Sequence, residues 1–289
     1  MEVRVTADAE AFADLVEPCM TSDPFSTNVI GVQLAGALDG SRPVGDDAIW
    51  LAVDGSDGGS GGVVGVGMHT PPRNLFLSRL PPGAASQVAA ALLAAGRQLP
   101  GVSGEAATVA EFADAWTART GTRSATQVSM RMYRLGTLIP PGGVAGEGRK
   151  AAPDDLGLVQ DWFVHFNREA VPHALDDDAG GLAERRLAIG HLWLWVDEGR
   201  PVALAAVSSA AAGVARIGPV YTPPAHRRRG YGAAATSRAT QAALEDGADQ
   251  VVLYTDLANP TSNAIYQSIG YRPDHDAEDR IFTPKVGRG

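Results

Sequence analysis

The chain has 289 residues, 45% of them hydrophobic and 20% charged, which sets aside a disordered or fibrous protein and exceeds the usual domain of about 100 to 150 residues. A formal charge of −9, from 24 basic against 33 acidic residues, works against non-specific nucleic-acid binding. The single cysteine, Cys19, excludes an internal disulfide and a cysteine-rich metal site.

The amino-terminal MEVRVTADAEAFADLVEP carries acids throughout. No apolar stretch reaches the ~18 residues of a membrane span, so the expectation is a cytoplasmic protein that is neither exported nor membrane-embedded. IWLAVDG at 49–55 and VVGVGM at 63–68 read as paired strands. The DGSDGGSGG run between them, 54–62, lacks the closing glutamate of a calcium-binding EF-hand loop, so it reads as a turn and no metal is expected. Pro81-Pro82 then precedes an alanine-rich helical stretch ending at Gly96, and FADAWTARTG at 112–121 sets Trp116 a few residues before a glycine.

The glycine- and proline-rich GTLIPPGGVAGEGRK, 136–150, has no apolar period and reads as the boundary between domains 1–143 and 144–289. Beyond it the same order recurs: LWLWVDE at 192–198, VALAAV at 202–207, Pro223-Pro224, an alanine-rich helix ending at Gly247, and NAIYQSIGY at 263–271 with Tyr266 before Gly270. That is the mark of an internal duplication. Strands followed by a helix, a strand and another helix imply an α/β (α+β) fold, each half a mixed, mostly antiparallel sheet flanked by helices with at least one parallel crossover.

Chemistry concentrates between Arg216 and Tyr271. A strand ending at Val220-Tyr221-Thr222 leads through a loop into RRRGYGA, which opens a helix. A helix starting near Gly230 leaves its first N–H groups unpaired at the positive end of its dipole, a ready seat for phosphate. Gly230 has no Cβ, and Gly232 and Ala233 keep the first turn narrow, so the main chain from Arg228 through Tyr231 to Ala233 is open to an anion. Taken alone, this is also how any glycine-containing loop enters a helix. Asn259-Pro260 supplies an N-cap and a first helical residue, and capping by itself accounts for that asparagine.

Arg227, Gly230 and Gly232 match R/Q-x-x-G-x-G/A, and Asn259, Ile265, Tyr266, Gly270 and Tyr271 answer N-x-x-A-x-x-L-Y-x-x-x-G-F/Y, with Ser262 where alanine is commoner. With these two motifs in order, the carboxy-terminal third resembles the N-acetyltransferases of the GNAT superfamily, and the duplication extends the resemblance to a tandem GNAT-like arrangement. The resemblance implies an acetyltransferase that moves an acetyl group from acetyl-CoA to a primary amine, on a small molecule or a peptide, by direct attack in a ternary complex. It implies that the main chain of Val220, Tyr221 and Thr222 pairs with the pantetheine arm and that Arg227, Arg228 and Arg229 serve the phosphates. It also implies that Asn259 touches pantetheine and that Tyr266 is the general acid toward the sulfur.

The strand RIGPVYT offers no acidic base, so the candidates are Glu169, His173 and Asp176 in HFNREAVPHALDDD, 165–178. In the amino-terminal half GAASQVA replaces the glycine–arginine loop and Trp116 replaces the tyrosine, so that half reads as a degenerate copy. The alternatives are a non-catalytic acyl-CoA sensor or interaction module, and a nucleotide-binding protein of another class.

Overall fold

The computed structural model describes residues 1–55, 62–170 and 179–285. They form two compact units. Unit 1 comprises Met1–Met130 together with the chain from His275 onward, and unit 2 is Arg131–Asp274. The chain therefore passes between units at 130/131 and again at 274/275, not once at 143/144. The reason is visible in the 136–150 segment, whose hydrogen bonds lie in unit 2. Gly136 and Ile139 donate to the carbonyls of Gly270 and Ile269 at 2.9 and 3.1 Å, and Trp195 Nε1 donates to the Ala145 carbonyl at 2.8 Å.

Unit 1 begins with β1 (Glu2–Thr6), α1 (Ala9–Ser22), α2 (Asn28–Leu38), β2 (Ile49–Asp54), β3 (Val63–His69) and β4 (Leu75–Leu77). It continues through α3 (Ala84–Ala94), β5 (Gly101–Glu105), α4 (Ala106–Thr120) and the first part of β6 (Arg123–Leu135). Unit 2 then adds β7 (Glu147–Lys150), α5 (Leu156–Ala170), α6 (Ala179–Ala188), β8 (Leu192–Asp197), β9 (Arg200–Val207) and β10 (Val214–Tyr221). It ends with α7 (Tyr231–Glu245), β11 (Gln250–Asp256), α8 (Pro260–Ser268) and the start of β12 (Tyr271–Thr283). Strand order is β1-β2-β3-β4-β5-β12 in unit 1 and β6-β11-β10-β9-β8-β7 in unit 2. The pairs β4/β5 and β10/β11 are parallel, and the other pairings at hand are antiparallel. Each unit is thus the mixed, mostly antiparallel sheet that the sequence implied.

Both faces of each sheet are covered, which explains why the central strands are apolar at every position. In β2, Ile49, Leu51 and Val53 pack toward α3 and α4, whereas Trp50 and Ala52 pack toward α1 and α2. In β8, Leu192 and Leu194 meet α5 and α6, and Trp193 and Trp195 meet α7. The duplication therefore holds element by element but not residue by residue. Aligning IWLAVDG with LWLWVDE places Ile49, on the α3 face, opposite Leu192, on the α5/α6 face. A one-residue slip of this kind exchanges the two faces of a strand.

The repeat is closest at the helix ends. Gly96 and Gly247 adopt left-handed φ of 67° and 95° just past α3 and α7. Gly96 and Arg97 N–H reach the carbonyls of Leu93 and Leu92 at 3.0 Å each, while Gly247 and Ala248 reach Leu244 and Ala243 at 3.1 and 3.0 Å. Both helices thus end in the same doubly bonded glycine stop. No helix among the described residues is long and apolar enough to cross a membrane.

Candidate active site

In unit 2, β10 runs parallel to β11 only from Val214↔Gln250 to Ile217↔Leu253. Past Ile217 it stays with β9, through Val220↔Ala205 and Tyr221↔Leu204, while its register with β11 stops. A bulge falls at this point, between Ile217 and Val220, over Gly218-Pro219, and Pro219 has no N–H to offer a ladder. The β11-facing edge of β10 is consequently open beyond Ile217. The extra residue also resets the alternation of side chains: Val220 packs toward α7, and Tyr221 packs toward α5 and α6.

The loop after Tyr221 is braced by Arg227. Its Nε donates to the Thr222 carbonyl at 2.8 Å, its Nη2 donates to the Glu169 carboxylate, and its guanidinium lies 5.9 Å from the Tyr221 ring centroid. Glu169 also accepts from Tyr221 Oη at 3.2 Å, so the end of α5 is pinned to β10. Burial and the Glu169 carboxylate push the Tyr221 phenol above its usual range. The Arg227 side chain thus holds the loop, and Arg228 and Arg229 beside it are exposed.

Arg228 and Gly230 have φ of 62° and 83°, flanking Arg229, so the sign of φ alternates into the helix and successive N–H groups turn to one side of the chain. Gly230 is the N-cap of α7 and carries no capping side chain. The first helical bond is Ala234 N–H to Gly230 carbonyl at 3.0 Å, leaving the N–H groups of Tyr231, Gly232 and Ala233 without a partner one turn back. Gly230 is exposed, so this end of the helix faces solvent. A Cβ on Gly230 would stand 2.8 Å from Val144 Cγ2, and one on Gly232 would stand 3.2 Å from Thr222 Oγ1. The Tyr231 side chain turns inward and donates to the Asp197 carboxylate, which raises its pKa against the opposing pull of Arg229. Sequence reading missed Asp197, which anchors the first turn of α7 to the end of β8.

Across the opening, Asn259 caps α8 through its Oδ1, which accepts from Ser262 N–H at 3.0 Å. Asn263 was not singled out in the sequence, yet it is the better-connected residue. Its Nδ2 donates to the carbonyls of Asp256 and Asn259 at 2.9 and 2.7 Å, and its Oδ1 accepts from Tyr133 Oη at 2.7 Å. The signal for it was an amide one turn after the cap. Tyr266 is half-buried and edge-on to Tyr271 at 6.3 Å. Desolvation pushes its pKa up to about 12. Its hydroxyl has no hydrogen-bond partner among the described residues. His173 and Asp176 lie outside the described residues.

Unit 1 holds the same two devices in closed form. Gly83 is a left-handed N-cap of α3 at φ 86°, but its N–H and that of Ser86 both donate to the Glu111 carboxylate at 3.1 Å, and Ser86 Oγ adds a bond at 3.2 Å. The parallel ladder runs the full length of β4, to Leu77↔Gly104, and the following Leu80 N–H is taken by Thr108 Oγ1 at 3.0 Å. Trp116, in the place of Tyr266, is buried in a stack with Phe112 and Phe282. A side-chain carboxylate of this unit sits where an anion would otherwise be received.

Residues 157–271 match the model of the acetyltransferase (GNAT) family. No curated protein matches the sequence. Among solved structures, an acetyltransferase from the GNAT family of Colwellia psychrerythraea is similar at 12% identity, covering 98% of this chain and 100% of that one at TM-score 0.57. A GCN5-related N-acetyltransferase from Sphaerobacter thermophilus is similar at 17% identity, with 99% and 96% covered and TM-score 0.60. A tandem GNAT protein from the clavulanic acid biosynthesis pathway is similar at 13% identity, with all of both chains covered and TM-score 0.56. At these identities the likeness is one of fold, and it extends over both units.

Gly230→Ala should impose positive-φ strain and the Val144 contact together, costing about 1–2 kcal/mol of stability. It should weaken CoA binding at least about tenfold in a calorimetric titration run well below the unfolding temperature. Glu111→Ala should cost unit 1 about 1–2 kcal/mol in urea unfolding, because three donors lose one acceptor. CoA stoichiometry should stay at one per chain in both the parent and the Glu111 variant.

Proposed function

We propose, from the match of residues 157–271 to the acetyltransferase (GNAT) family, which supports acyl transfer in general, that unit 2 moves an acetyl group from acetyl-CoA to a primary amine. The observation that carries this reading is the pairing of an open strand edge beyond Ile217 with an uncapped, solvent-facing start of α7. One can take an extended amide-bearing arm by strand addition, the other a diphosphate. The residues present suit CoA because the start of α7 is exposed, carries no capping side chain and is flanked by Arg228 and Arg229. The main chain of Arg228 to Ala233, with Arg228 and Arg229, would hold the phosphates. Val220, Tyr221 and Thr222 would hold the arm, and acetyl-CoA would supply the activated acyl group as a thioester.

An amine with a pKa near ~10 is mostly protonated at neutral pH and must shed a proton before its nitrogen can attack the thioester carbon. Of the three candidate bases, Glu169 is the one within the described residues. Both its carboxylate oxygens are engaged, by Tyr221 and Arg227, so it would take the proton through the Tyr221 hydroxyl while Arg227 holds it in place. As the C–N bond forms and the C–S bond breaks in the ternary complex, a main-chain N–H at Tyr221 or Thr222 would stabilise negative charge on the carbonyl oxygen. The sulfur would leave with a proton from Tyr266, whose hydroxyl is not committed to another protein group. The acceptor is a small molecule or peptide amine, and nucleic acid and membrane are not partners on this reading.

Tyr266→Phe should lower kcat by about 10²-fold while the Kd for CoA stays within about twofold, measured by thiol release and calorimetry. Unchanged turnover would sink the assignment of the acid. A pKa raised to about 12 means that the phenol keeps its proton well past the usual ~10. The general-acid limb of the pH–kcat profile should therefore be absent up to about pH 10, and a decline centred nearer 8 that disappears in Tyr266→Phe would contradict it.

A further inference from the structure

Arg216 has no part in the chemistry above. Ala215, Ile217, Val251 and Leu253 pack toward α7, so by alternation Arg216 on β10 and Tyr254 on β11 stand on the other face, the one that α5 and α6 cover. The bulge turns Tyr221 to that face as well. Arg216 pairs with Val252 just before the register with β11 ends, and Tyr254 is the first β11 residue past that end. The two therefore flank the inner corner of the opening, on the side opposite the α7 seat.

The Arg216 side chain is half-buried, and among the described residues no carboxylate and no hydrogen-bond acceptor meets its guanidinium. Tyr254, two residues along β11 from Val252, the register partner of Arg216, is the neighbour on its own face. Two other arginines of unit 2 are neutralised, Arg149 by Asp155 at 2.6 Å and Arg227 by Glu169. Burial pushes the Arg216 pKa down, the direction expected of a cation held without a counter-charge. An unpaired charge withdrawn from water is costly unless something of opposite sign completes it.

We propose that Arg216 recognises a carboxylate on the acceptor, so that unit 2 acts on an amine that also carries an acid group. This rests on the transferase reading and adds the class of acceptor to it. A guanidinium fork matches the two oxygens of a carboxylate, and the phenol of Tyr254 lies beside it. The Arg216 position, on the face opposite α7, puts the acid-binding group and the phosphate seat on different sides of the sheet, as two substrates that must meet at the opening require.

The test is thiol release from acetyl-CoA with amino acids and with the matching amino acid amides, in the parent, Arg216→Gln and Arg216→Lys. The acids should be favoured at least about tenfold in kcat/KM, the preference should fall to within about twofold in Arg216→Gln and return in part in Arg216→Lys, and the KM for acetyl-CoA should not move. Equal rates on acid and amide in the parent, or a preference that survives in Arg216→Gln, would overturn the proposal. A second readout needs no turnover: titration of the CoA-loaded protein with sodium acetate or succinate, followed by thermal unfolding. Stabilisation in the parent that is absent in Arg216→Gln supports carboxylate binding, and identical responses overturn it. Acetyl-CoA binding is measured separately. A chain that takes up no acetyl-CoA overturns the transferase reading and the acceptor class with it, whereas the carboxylate outcomes bear on Arg216 alone.

Discussion

Two neighbouring strands that stop pairing before either ends leave an open edge on β10 among the described residues, and the site of unit 2 is built on it. Backbone polar groups away from water are nearly always paired, so an open edge inside a sheet persists only where something else will pair with it. Here the divergence follows from one dipeptide. Gly218-Pro219 inserts a bulge and removes a donor, after which β10 holds to β9 and its register with β11 ends. The start of α7 lies a short loop away, and its own unpaired N–H groups extend the same deficit toward solvent. Left-handed backbone at Arg228, a residue with a Cβ, costs of order 1 kcal/mol, and the Arg227 contacts to Thr222 and Glu169 are what hold the loop in that shape.

Unit 1 shows what the same framework becomes when the deficit is closed internally. It keeps the left-handed glycine before α3 and the parallel strand pair. However, the helix end is satisfied by Glu111, the ladder runs to the end of β4, and Thr108 takes the next free N–H. The contrast also separates two roles that a glycine before a helix can have. Its positive φ is needed to make the turn in both units, and only in unit 2 is the resulting concavity left for a ligand.

Much of this was legible in the sequence because it is local. Apolar runs marked the central strands, proline and glycine marked the ends of α7 and α8, and Asn259 at the cap followed from side-chain chemistry. The rest depended on distance along the chain. Glu111 lies 28 residues from Gly83, and nothing local connects them. The duplication was visible as an order of elements, but because strands buried on both faces are apolar at every position, sequence alone could not fix their phase, and the alignment chosen was one residue out. The division of the units was obscured by composition: 136–150 looks like a linker, and its hydrogen bonds show it to be part of unit 2. Arg216 stood in plain view within an apolar strand. Nothing local tells which face of the strand that cation takes, because the bulge that sets the phase follows it.

That substitution of sign has consequences for how an amine would reach the opening. An acid on the α5/α6 face of β10 would attract ammonium groups and suit cationic acceptors, whereas a guanidinium held without a counter-charge repels them at close range. A neutral or zwitterionic acceptor escapes that penalty, and a zwitterion turns it into attraction at its carboxylate end. The overall charge of −9 does not oppose this, because screening over about 8–10 Å leaves the local cation to decide what the corner of the opening accepts.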